Sequence, residues 1–377
     1  MNKLNLLNIV FLWLAWLVII LSFQWITADR FDFKRPDLAV SWTKTETLLS
    51  SNKGKVYLLE PTMNRQVAWD SEYYMGIAVG GYDDSAAAAV TDRTTGNLVK
   101  TNYSFFPFYP YVMRVFAAPL GWFGLKPIAA ASLAGVIVAA LGTLAGLIAL
   151  WDMTSPYFDE QTAERAVFYA LIFPASFFFA MVYTEGLFIG LAFGALALSK
   201  RGQWAWASLL GLCAAWTRAH GAALVLPLLI FWLMQINWHE ALKPQLTWKW
   251  FLRGAFALLP LAGYLVWRNS PLGMGWAELQ DFYFGRGLLS VQKSIADFKN
   301  AYDYAMATGG VSQVYYAIEV GSILLACIAS LWLLMKRRKV GSAGPGWSRR
   351  ENFGPAKVVQ YRSITFKNSV RLSPKVS

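Results

Sequence analysis

Between Asn5 and Ala28 the chain runs for 24 residues without a charged side chain. About 20 apolar residues in helical form cross the roughly 30 Å of a bilayer's hydrocarbon core, so this stretch reads as a membrane span. One Lys precedes it and no small-residue cleavage site follows, which reads as an uncleaved anchor rather than a signal peptide. Further apolar runs recur at about 127–150, 166–182, 186–199, 204–217, 221–236, 251–267 and 315–335. With hydrophobic residues at 56% of the chain, the expected fold is an all-α integral membrane protein of about eight transmembrane helices. Eighteen Trp and seventeen Tyr suit long interfacial belts.

The net charge of +12 does not mark a nucleic-acid binder. Residues 336–377 hold eleven basic side chains against the single acid Glu351, a net +10 of that total. No basic face remains for a folded domain, so nucleic acid is not an expected partner. The tail is aperiodic and follows Gly341-Ser342-Ala343-Gly344-Pro345-Gly346; it is expected to be disordered, and a truncation or frame change near Val340 would explain its unlike composition. Both cysteines, Cys213 and Cys327, lie in apolar runs, which gives no disulfide framework. His220 and His239 are too few for a His-based metal site.

Residues 29–104 form a long polar segment with ten acids and nine bases. Phe105-Phe106-Pro107-Phe108-Tyr109-Pro110 follows and leads into an apolar run, 111–123, that contains Arg114. Its prolines and its charge predict a re-entrant or interfacial helix rather than a crossing. With that helix not crossing, the positive-inside rule puts both chain ends, Lys200-Arg201 and the Lys243/Lys249/Arg253 loop in the cytoplasm. The domain plan is then a first span over 1–28, an extracytoplasmic loop over 29–126, a helical bundle over 127–335 and a cytoplasmic tail over 336–377.

This topology gathers four polar features on the outer or lumenal face. They are the 29–104 loop with Trp69-Asp70-Ser71-Glu72-Tyr73-Tyr74, the Phe105–Pro110 motif, the turn Tyr183-Thr184-Glu185 and the turn Thr217-Arg218-Ala219-His220. An ionisable group at membrane depth is costly and marks a site by default, although helix-end residues also snorkel to the headgroups. Arg218 could clamp a phosphate with its planar fork. Asp70, Glu72, Asp83 and Asp84 offer a choice of general bases, and Trp69, Tyr73 and Tyr74 offer flat faces for a sugar ring. Asp70 also stands where a helix N-cap would, ahead of an apolar stretch, Tyr73 to Val79, that could dock on the bilayer. The Asp83-Asp84 pair could bind a divalent cation, but adjacent acids in a turn are more often solvated; no other cofactor is indicated. Asn102-Tyr103-Ser104 matches a glycosylation sequon.

Taken in order, Trp69-Asp70 with Gly81-Tyr82, Phe106-Pro107-Phe108-Tyr109-Pro110, Phe173-Pro174-Ala175-Ser176-Phe177-Phe178 with Tyr183-Thr184-Glu185, and Thr217-Arg218 with Gly221 resemble the mannosyltransferase II (PIG-V) family of glycosylphosphatidylinositol assembly and its prokaryotic relatives. The resemblance covers about residues 5–227. It implies a GT-C helical bundle and an inverting transfer of mannose from a polyprenyl-phosphate donor to a glycan or glycolipid acceptor. The acid of the Trp-Asp motif, Asp70, is then the catalytic residue. Trp69, Glu72, Tyr73, Tyr82, Phe106, Pro107, Tyr109, Glu185, Arg218 and His220 become candidates for binding donor or acceptor. The sequence departs from the family at Ala219-His220, where relatives commonly carry Pro after Thr-Arg. With no retention signal, a prokaryotic plasma membrane is favoured over the endoplasmic reticulum. The competing readings are a carrier or flippase for lipid-linked sugars and a truncated, non-catalytic relative. A carrier should spread charge through its spans, whereas the charges here gather at one face.

Overall fold

The computed structural model describes residues 3–30, 63–67, 70–85, 87, 89–91, 96, 98–236, 247–284 and 291–340. Trp69 and the basic tail from residue 341 onward lie outside the described residues, as does the 31–62 part of the polar loop. The chain divides into two units, 1–298 and 299–377, and the site belongs to the first. The fold is helical, with one short antiparallel hairpin of β1 (Ala89–Thr91) and β2 (Leu98–Lys100), in which Val90 faces Val99.

Helix α1 (Lys3–Arg30) carries the charge-free stretch. It packs on the central helix α4 (Pro127–Thr154), where the Trp13 indole donates to the Ala140 carbonyl at 3.0 Å. Between them in sequence come α2 (Ser71–Val79) and α3 (Phe108–Gly121). After α4 the chain continues as α5 (Glu160–Ile172), a 3-10 segment (Pro174–Ala180), α6 (Glu185–Lys200), α7 (Trp204–Ala215), a second 3-10 segment (Ala219–Leu224), α8 (Val225–Leu233), α9 (Trp248–Arg268) and α10 (Pro271–Phe284). Helix α11 (Val291–Thr308) follows, and α12 (Val311–Val340) belongs to the second unit.

Among the described residues, four helices are long and apolar enough to cross a membrane, over Lys3–Ile26, Pro127–Thr154, Trp248–Arg268 and Val311–Trp332. The chain is an all-α integral membrane protein. The expected span over 166–182 is not continuous. It bends by 82° between α5 and the 3-10 segment, where Pro174 cannot supply an amide to continue the helix. Counted as one broken span, the pair is a fifth candidate. Helices α6, α7 and α8 have 16, 12 and 9 residues, too short to cross singly at about 1.5 Å per residue. Eight full spans are therefore more than these lengths support.

The α4–α6 contact fixes the position of the site. Gly142 and Gly146 of α4 face Gly186 and Gly190 of α6 in a close helix pair. A Cβ on Gly186 would sit 2.2 Å from the Ala139 carbonyl oxygen, and one on Gly190 would sit 2.4 Å from that of Gly142. Small residues four apart on both helices let the backbones meet, as in membrane helix pairs generally. Rising numbers match along both helices, so α4 and α6 run parallel. At their far ends Lys200 Nζ donates to the Met153 carbonyl at 3.1 Å. Glu185, the first residue of α6, is thereby held level with the middle of α4 rather than with its N-terminus.

Candidate active site

Helix α2 is enclosed by protein. Every residue from Ser71 to Ala78 is buried, and Met75, Tyr74 and Ala78 pack with Tyr109 and Met113 of α3 and Val136 and Val138 of α4. The expectation that Tyr73–Val79 docks on the bilayer is thus overturned for Tyr73 to Ala78, whose apolar side chains complete a protein core, while Val79 at the helix end is exposed. Arg114, the charge inside the apolar run, explains how a nine-residue helix is held there. Its Nε and Nη2 donate to the Ala78 and Ile77 carbonyls at 2.7 and 2.8 Å, satisfying acceptors at the C-terminal end of α2. Sequence alone does not reveal this role, because the partners are backbone atoms more than thirty residues away.

Asp70 holds the N-cap position ahead of α2, as expected, with its carbonyl accepting from the Tyr73 and Tyr74 amides, but its backbone is αR and its side chain makes no capping hydrogen bond. Its backbone N–H donates to the Tyr183 hydroxyl at 3.1 Å, which joins the Trp-Asp segment to the Tyr183-Thr184-Glu185 turn. That turn is tied down from below the motif as well, since the Val182 N–H donates to the Gln66 carbonyl at 3.0 Å.

The second polar turn reaches the same place. Arg218 Nη1 donates to Thr184 Oγ1 at 3.0 Å and to Glu185 Oε1 in an ion pair. Among the described residues, its Nε and Nη2 make no further hydrogen bond, and Glu185 Oε2 is buried without a partner. Gly221 permits the turn its shape: a Cβ there would lie 2.3 Å from backbone atoms of Ala214 and Ala215. The Phe-Pro motif supports it from the other side, because the Phe108 N–H donates to the Trp216 carbonyl at 3.0 Å.

Tyr74 and Tyr183 stand edge to face at 6.0 Å between these groups. Burial raises the Tyr74 hydroxyl well above its ordinary range, the charges of Asp70 and Glu185 push it the same way, and Arg218 opposes them. Tyr183 is likewise raised, by burial first and then by Asp70. Both phenols stay protonated at any working pH and can donate hydrogen bonds. Asp70, Glu185 and Arg218, far apart in sequence, surround this tyrosine pair.

The remaining candidates fall into two groups. Tyr73 is buried and stacks on Phe105 at 4.7 Å, beside the Asp70 turn, and Glu72 is buried next to it. His220 is exposed at the start of the second 3-10 segment. Tyr109, Tyr82 and Phe106 serve packing. Tyr109 is fully buried and donates to the Gly135 carbonyl at 3.0 Å. Tyr82 donates to the Phe105 carbonyl at 2.8 Å, and Phe106 stacks on Trp267 at 4.2 Å. Pro107 is the buried residue that starts α3. Asp83 accepts from the Tyr103 hydroxyl at 2.9 Å, and among the described residues no cluster of three or more His, Cys, Asp or Glu could hold a metal ion. Asn102 is 4% exposed and its amide donates to the Gly81 carbonyl, so the sequon is closed in this fold.

Asp70, Glu185 and Arg218, brought together from distant segments in a frame of membrane helices, have the make-up of a polar enzyme site at a membrane. Residues 47–266 match the mannosyltransferase (PIG-V) family, over half of the chain, and the protein belongs to that family. It is a membrane glycosyltransferase with a sugar donor and an acceptor as its substrates. Comparison with curated proteins and with solved structures found no match.

Proposed function

We propose that the protein transfers mannose from a polyprenyl-phosphate donor to a hydroxyl of a lipid-linked or glycan acceptor, with inversion, at the outer or lumenal face. Asp70 takes the proton of the acceptor hydroxyl as its oxygen attacks the anomeric carbon. The bond from that carbon to the phosphate oxygen breaks, and the polyprenyl phosphate leaves with the electron pair. Arg218 receives the phosphate through the Nε and Nη2 donors that the Glu185 and Thr184 contacts leave over. Glu185 holds the guanidinium in place, and its Oε2 is suited to accept from a sugar hydroxyl. A single displacement needs one base and one anion site on opposite sides of the sugar, and no covalent intermediate.

What carries this reading is the Asp70 backbone bond to Tyr183, in the same turn whose Thr184 and Glu185 pair with Arg218. A prokaryotic plasma membrane is the proposed location. The test is Asp70→Asn, assayed in detergent with polyprenyl-phosphate mannose and no gradient. The amide retains the shape but cannot take a proton, so turnover should fall by about 10²–10⁴-fold while folding persists. Near-native turnover would move the base to Glu72 or Glu185.

A further inference from the structure

At the opposite end of α6 and α7 from Arg218 lies a cleft of about 440 Å³ that takes no part in the proposed chemistry. Its lining includes Gln203, Trp204 and Trp206 from the start of α7, and Lys249, Arg253 and Phe256 from α9. Among the described residues, no acidic side chain lines it. Two features point to an anion.

The first is the helix end. Helix α7 begins at Trp204, and Gln203 ahead of it provides no side-chain cap, so the amides of its first turn face outward with the positive end of the helix dipole. The second is the charge opposite. Lys249 is exposed, and Arg253 uses Nη1 on Gln235 at 2.6 Å with no carboxylate partner among the described residues.

The surroundings say which anion. Trp206 and Trp248 are 63% and 77% exposed at this end, the placement of indoles at a membrane–water boundary. We propose that this cleft binds the phosphate of an anionic phospholipid, with the acyl chains lying along α7 and α9. The shared chemistry is a phosphate monoanion; the boundary position selects a lipid rather than a free ion as its source. Bound there, the lipid would bridge α7 to α9 at the face opposite the active site.

Native mass spectrometry of the full chain released from nanodiscs of mixed phosphatidylglycerol and phosphatidylcholine tests this. The native protein should retain phosphatidylglycerol in preference. Lys249→Gln with Arg253→Gln should lower that retention by at least about tenfold, as loss of charge-assisted hydrogen bonds predicts. Equal retention of both lipids by the native chain, or unchanged retention in the double variant, would overturn the site. Displacement of the lipid by millimolar inorganic phosphate would overturn the lipid as the source.

Discussion

Arg218 is the residue through which two expectations can be told apart. A snorkelling arginine at a helix end gains little from its fork, whereas a phosphate clamp depends on it. Arg218→Lys retains the charge next to Glu185 and loses the planar pair of donors. Apparent affinity for polyprenyl-phosphate mannose should fall by about 1–3 kcal/mol, read as KM or Kd in detergent. An unchanged value would return Arg218 to a structural role. Tyr103 gives a second measurement at this scale. Burial, and then its hydrogen bond to Asp83, push its hydroxyl up to about 12. The folded chain therefore favours the neutral phenol, and the stability this contributes is present below pH 10 and lost as pH rises through 10 to 12. The difference titration of phenolate absorbance between native protein and Tyr103→Phe should show that midpoint, and Asp83→Asn should lower it.

Close backbone approach decides the behaviour of the elements. Gly221 lets the segment after Arg218 fold back against the end of α7, where even a methyl group would meet backbone atoms at 2.3 Å. Backbone cannot rotate aside as a side chain can, so Gly221→Ala should destabilise by about 1–3 kcal/mol and displace the Arg218 turn. A lowered Tm together with a raised KM for donor is the expected result; an unchanged Tm would contradict the packing. Much of this region is legible in the sequence for a physical reason. Charges and polar turns between apolar runs are rare and expensive, so Asp70, Glu185 and Arg218 stand out by residue type and position alone. What is not legible is set by contacts between distant segments. Arg114 has the look of a misplaced charge in the sequence, and only the fold brings the α2 carbonyls beside it. Tyr109 and Phe106 resemble ligand-binding aromatics because a buried aromatic and a sugar-stacking one have the same composition. The bend at Pro174 is hidden because hydropathy measures how apolar a stretch is and is blind to its direction.

Across the whole molecule, helix lengths set the depth of the site. Glu185 and Lys200 are the two ends of α6, sixteen residues and therefore roughly 24 Å apart. Lys200 and Arg201 are fixed to the last turns of α4 through Met153 and Asp152, a charged cluster that belongs at a membrane boundary. A hydrocarbon core of about 30 Å then puts Glu185 and Arg218 just inside the opposite boundary, with the first third of α4 and the α2–α3 pair rising beyond them. A donor anchored by its polyprenyl chain would present its phosphate at this depth without leaving the bilayer. The orientation can be checked in intact cells, using a chain with Cys213 and Cys327 replaced. Ser85 lies exposed just after α2, and Gln161 lies exposed in the first turn of α5, past the far end of α4. A cysteine at Ser85 should react with an impermeant maleimide added outside, and one at Gln161 only after permeabilisation. The reverse pattern would place mannose transfer on the cytoplasmic side, where the positive-inside rule puts Lys200 and Arg201. Labelling of both from one side would mean that α4 does not cross, and the depth of Glu185 would lose its basis.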